Sequence, residues 1–85
     1  MIFTGEELNK REGAKNWPEA GDILQFSGVP EFYYPMFTNM KDEANQNLVL
    51  GNSYRVEKSE VYSSWCAVWL EGIEGYYNLR FFSWN

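Results

Sequence analysis

The sequence predicts a mainly β fold, a small antiparallel barrel or rolled sheet preceded by one short N-terminal helix. Three observations carry this expectation. Beyond Gly21, short segments alternate apolar and polar residues, as half-buried strands do. Gly-containing turns separate these segments at short spacing, as in small antiparallel β architectures. The one helix-start signal lies before them, at Thr4 and Glu7. The 85 residues fit one domain. A chain of that size buries only about 60–65% of the surface it exposes when unfolded, so it has one small core. With 45% hydrophobic and 22% charged residues it is neither disordered nor membrane-embedded in composition.

The elements follow in order. Thr4 precedes Glu7 by the spacing of a capping box, and Gly5 to Lys15 is rich in Glu, Lys, Arg and Asn. This predicts a short polar helix, weakened at Gly13. With Leu8 as its main apolar residue, two fates are open: docking through Phe3, Leu8 and Trp17, or fraying. Trp17-Pro18-Glu19-Ala20-Gly21 ends any helix. Asp22 to Phe26 reads as the first strand, with Leu24 and Phe26 on one face. Glu31 to Asn47 fits neither strand nor helix periodicity and is expected to be irregular. Ser53 to Lys58 is the second strand, with Tyr54 and Val56 sharing a face. A turn follows near Ser59-Glu60 or Ser63-Ser64. Trp65 to Glu71 is the third strand, with Cys66, Val68 and Leu70 opposite Trp65, Ala67 and Trp69. Both of its faces are apolar, so it is either covered on both sides or displays tryptophan. Gly72 to Gly75 is a turn, and Tyr76 to Trp84 is the last strand region. The chain thus divides into a polar helical segment, 1–20, and a β domain, 21–85, with a long loop, 28–47.

Composition excludes several chemistries. The chain has no histidine, which removes Ser-His-Asp and Cys-His nucleophile systems and His-containing zinc sites. Its single cysteine, Cys66, permits neither an internal disulfide nor a cysteine zinc site. It reads as a small buried hydrophobe in a reducing compartment. No metal, no cofactor and no enzymatic activity are expected. The net charge of −5 disfavours phosphate backbones, so nucleic acid is not the expected partner. No apolar run approaches the ~18–20 residues of a membrane span, and the start lacks signal-peptide grammar, so the expected location is the cytoplasm.

The order of these pieces is familiar. Gly21-Asp22 opens the first strand, and a step runs Val49-Leu50-Gly51-Asn52-Ser53-Tyr54-Arg55-Val56. A strand then ends at Leu70-Glu71, a Gly turn follows, and the pair Tyr77-Asn78 leads to a final strand ending at Phe82. Over Gly21–Phe82 the chain resembles small SH3-like barrel proteins of bacteriophages and prophages. The resemblance implies an SH3-like antiparallel barrel with the long loop beside its mouth, and binding rather than catalysis. It also implies an accessory protein that occupies a surface on a larger host protein. Inhibitors of host machinery, including anti-defence proteins such as anti-CRISPRs, are the expected class.

Candidate partner-binding residues come in two groups. The first is aromatic and sulfur-bearing: Tyr33, Tyr34 and Met36 in the long loop, and Trp69 on the third strand, residue types typical of interface cores. Neighbouring Phe32 and Phe37 read as core. Trp65 and Trp69 either form an aromatic patch with Tyr76 or Phe82, or are buried beneath the helix or the loop. A patch of this kind also admits a second reading, stacking on single-stranded nucleic acid, and a third, self-association. The second group is acidic: Asp42, Glu43, Glu71 and Glu74. These are either solubilising charge or a rim that steers a basic partner, one with a basic or nucleic-acid-binding surface.

Overall fold

The computed structural model describes residues 2–30 and 38–84. The sequence expectations for Phe32, Tyr33, Tyr34, Met36 and Phe37 lie outside the described residues.

The N-terminal segment is docked. Strand β1 (Phe3–Thr4) leads directly into helix α1 (Gly5–Glu12). Thr4 Oγ1 accepts from the Glu7 N–H (3.1 Å), and the Glu7 carboxylate accepts from the Thr4 N–H (3.0 Å). These reciprocal bonds satisfy donors that a helix start leaves open. The helix stops at Gly13, whose φ of 70° is the left-handed cap glycine adopts without strain. Its polar composition alone would leave α1 marginal. Three contacts hold it instead. β1 pairs antiparallel with β3 through Phe3–Val61 and Thr4–Glu60. The Gly5 N–H donates to Ser59 Oγ. Leu8 lies against the core. Buried Asn9 then ties α1 to the following loop. Its side chain receives the N–H groups of Asn16 and Trp17 and donates to the Trp17 carbonyl and to Glu19.

The rest is an antiparallel sheet with short helices. The further strands are β2 (Ile23–Phe26), β3 (Ser53–Val61), β4 (Cys66–Leu70), β5 (Tyr76–Asn78) and β6 (Phe82–Ser83). Their order is β5-β4-β3-β2-β6, an open sheet, with β1 beside β3 off that path. β3 is longer than expected. A register irregularity between Val56 and Lys58 leaves Glu57 and Lys58 both exposed and reverses the alternation. Ser59 and Val61 then point inward, where a regular strand would have put Lys58 and Glu60.

Two expectations are corrected. The irregular reading of 31–47 fails over its second half, where helix α2 (Thr38–Asn47) forms. Met40, Ala44 and, just beyond the helix, Leu48 recur every fourth residue and are buried. That stripe is one residue wide, too thin to stand out in a polar run. The last strand region is also not continuous. Asn78 Oδ1 accepts from the Arg80 N–H, which caps a one-turn 3₁₀ helix (Leu79–Phe81) between β5 and β6. The core gathers Leu24, Phe26, Val56, Val68, Leu70, Tyr77, Phe81 and Phe82 under α2. No helix among the described residues is long and apolar enough to cross a membrane.

Candidate interaction surface

The register of β3, β4 and β5 builds the site. Trp69 lies opposite Lys58 on one side and Tyr76 on the other. Directly paired residues share a sheet face, so these three side chains emerge together. A tight turn at Ser63-Ser64, closed by the Tyr62 N–H donating to the Trp65 carbonyl (2.8 Å), adds Tyr62 and Trp65. The result is a continuous aromatic row. Tyr62 stacks on Trp65 with centroids 4.9 Å apart and an interplanar angle of 11°. Tyr76 then contacts Trp65 (6.2 Å, 36°) and Trp69 (5.3 Å, 40°). Lys58 Nζ closes the row 4.3 Å from the Trp69 centroid, a cation–π contact.

Glu60 braces this row from β3. It accepts from the Tyr62 hydroxyl (3.0 Å) and lies 3.8 Å from Lys58 Nζ. Partial burial, followed by that carboxylate contact, pushes the Tyr62 hydroxyl above its ordinary pKa. Trp65 and Trp69 are half-buried, while Tyr76 is 45% exposed. The row is therefore accessible, and the patch with Tyr76 forms. The alternative partner Phe82 is buried instead, 5.8 Å from Phe26. Cys66 lies on the opposite, inward face, and burial pushes its thiol up to about 11.

The acidic candidates separate. Glu43 of α2 and Glu74 line one open groove of about 530 Å³ with Met40, Asn47, Gly75 and Tyr76. Tyr77 organises this groove from below. Its hydroxyl accepts from the Asn47 amide (3.0 Å) and donates to the Glu74 carbonyl (3.2 Å). Gly75 is held at a φ of 90°, where glycine is favoured, and a Cβ there would stand in ordinary contact with Glu43 Oε2 at 3.7 Å. The groove joins the aromatic row at Tyr76. Asp42 and Glu71 are exposed but do not line it. Ion pairs among the described residues are Lys15–Asp22 and Lys58–Glu60, and neither involves these four carboxylates.

No protein-family model, curated protein or solved structure matches this chain. The surface is read from its own chemistry.

Tyr62, Lys58 and Glu60 are the functional candidates that sequence reasoning missed. A signal for Tyr62 exists, because the Ser63-Ser64 turn implies that the residues flanking it face each other. Lys58 and Glu60 carry no such signal. They reach the outer face only because of the β3 irregularity.

Proposed function

We propose that the chain is a non-enzymatic binding protein that docks on a larger protein through the Tyr62–Trp65–Tyr76–Trp69 row and its acidic flank. The observation that carries this reading is the row itself. It is a continuous, partly exposed aromatic surface, and such residues dominate interface energetics. Glu43 and Glu74 beside Tyr76 favour a partner with a basic surface, which they would steer on approach. The scaffold in this proposal is an SH3-like barrel. Two features support it. β5 and β6, at opposite ends of the strand order, are joined by a single 3₁₀ turn. The Phe81 carbonyl of that turn accepts from the Ser27 N–H at the end of β2 (2.8 Å). The phage-type resemblance extends the proposal to inhibition of a host protein, with anti-defence action as the class.

The test is affinity capture of host protein by the tagged chain, eluted in salt steps. It is run beside Trp69→Ala and beside charge reversal at Asp42, Glu43, Glu71 and Glu74. A stoichiometric species held by the native chain, released by salt and lost from both variants is the expected result. Equal retention by the charge-reversed variant would end the acidic-flank reading. Retention of nothing specific by the native chain would end the binding reading.

A further inference from the structure

At the end of the aromatic row away from Glu43 and Glu74, a second cleft opens between the Ser63-Ser64 turn and the 3₁₀ helix. Its volume is about 350 Å³, the lower end of the range of small-molecule sites. Trp17, Tyr62 and Trp65 supply aromatic wall, and Ser63, Ser64 and Arg80 supply polar groups. Among the described residues no carboxylate lines it, although the chain carries 12 acidic residues and a net charge of −5.

Four lining residues carry a side-chain donor with no partner among the described residues, whereas the Tyr62 hydroxyl is bound to Glu60 and Asn78 Oδ1 to the Arg80 N–H. Trp17 Nε1 is buried and makes no hydrogen bond. Arg80 forms no ion pair among the described residues. The Ser63 and Ser64 hydroxyls likewise have no hydrogen-bond partner there. An orphaned buried N–H is rare in folded proteins, because its lost hydration goes uncompensated. Nor is this one a loose side chain. The Trp17 backbone is held at both ends by Asn9, its N–H donating to Oδ1 (2.9 Å) and its carbonyl accepting from Nδ2 (2.8 Å). Arg80 is positioned by its own N–H, which donates to Asn78 Oδ1 (3.0 Å). Cys66, also in the lining, is a neutral thiol and adds no negative charge.

We propose that this cleft binds a small flat molecule bearing an oxyanion, either a phosphate or a carboxylate on an aromatic ring. Arg80 and the two serine hydroxyls take the oxyanion, which matches donors lining one cleft with an acceptor-only group. Tyr62 and Trp65 take the flat part by aromatic contact. The Trp17 N–H is itself closed to solvent, but its ring lines the cleft, so an aromatic ligand seated there changes the surroundings of the indole. That makes its resonance the reporter. This site is separate from the acidic groove and stands whether or not the row docks on a protein.

The test is a ¹⁵N–¹H titration of the full chain, read at the indole N–H peaks of its four tryptophans. Trp17→Phe assigns the key peak. The probes are adenosine monophosphate, benzoate, adenosine and inorganic phosphate. Saturable movement of the Trp17 and Trp65 indole peaks is expected with adenosine monophosphate or benzoate, and the one that acts identifies the phosphate or the carboxylate as the source. Adenosine should bind about tenfold more weakly or worse, and Arg80→Ala should cost about the same factor, as the loss of a charge-assisted bond does. Arg80 is exposed, so this variant keeps the fold, which its peak dispersion verifies. No saturable shift with either ring-bearing anion at millimolar concentration overturns the proposal. So does undiminished binding by Arg80→Ala. Inorganic phosphate binding as tightly as adenosine monophosphate overturns the flat-ligand part.

Discussion

Replacing Gly5 by alanine sets two effects of opposite sign against each other. Gly5 occupies the first position of α1, and in an open helix Gly→Ala is favourable by up to about 1 kcal/mol. Here a Cβ would collide with the Pro18 carbonyl oxygen and with Ser59 Oγ, and would sit 3.1 Å from Trp17 Cβ. The two oxygens are not free to move apart. Ser59 Oγ donates to the Pro18 carbonyl (2.7 Å) and accepts from the Gly5 N–H (3.1 Å). Relief requires the first turn of α1 to move away from both oxygens, which breaks the Gly5–Ser59 bond. At about 1 kcal/mol for the bond and about 2 kcal/mol for overpacking, less the helix gain of about 1, the net cost is about 2 kcal/mol. A chain of this size has a total stability of only about 4–13 kcal/mol.

Urea unfolding followed by tryptophan fluorescence and far-UV circular dichroism measures this. With a slope of about 1 kcal/mol per molar, the midpoint should fall by about 2 M. An unchanged or raised midpoint would refute the steric argument and return Gly5 to ordinary helix propensity. A double-mutant cycle sharpens the test. Ser59→Ala removes one of the two colliding oxygens, so its cost and that of Gly5→Ala should be sub-additive by about 1 kcal/mol or more. Strict additivity would show that the two sites do not meet.

The remaining stability predictions concern the same corner of the molecule. Asn9→Ala removes four hydrogen bonds from a buried side chain and should cost about 2–4 kcal/mol, seen as a fall of about 10–25 °C in Tm; a shift of a degree or two would mean that water replaces them. Asp22 alone would be pushed up by burial, but bonds from Lys15 (2.8 Å) and the Glu19 N–H (2.8 Å), with the Lys15 charge, bring its carboxyl below the ordinary 3.8. Its folded pKa is depressed, so its contribution is present above pH 3.8 and is lost as pH falls through the lower folded value. Lys15, raised above 10.5 by its bond to Asp22, contributes below pH 10.5 and loses that contribution as pH rises past its folded value. Asp22→Asn should therefore lower the urea midpoint modestly at pH 7 and leave little difference from the native chain near pH 2; an equal gap at both pH values would refute the linkage.

The mainly β character, the strand beginning near Asp22, the Cys66–Val68–Leu70 inward face and the Thr4–Glu7 cap were legible because each rests on local spacing. Strand alternation and capping need only a few neighbouring residues to be recognised. Helix α2 was not legible, since Met40 and Ala44 make too thin a stripe to announce a helix, and burial against the sheet is what holds it. Among the site residues, Trp69 and its contact with Tyr76 could be anticipated from strand parity and a short turn. The meeting of Glu43 with Glu74 could not, because these residues stand in different elements and share no local pattern.

The sequence by itself determined which chemistries are excluded and where most strands begin: no histidine chemistry, no internal disulfide, an acidic balance, and short alternating segments. Tertiary structure alone decided which side chains meet. The irregularity after Val56 turned Lys58 and Glu60 outward to the aromatic row. The docking of α1 brought Trp17 beside Tyr62 and Arg80. Such juxtapositions depend on long-range pairing and register, where a shift of one residue moves a side chain to the other face. No local window of sequence contains that information.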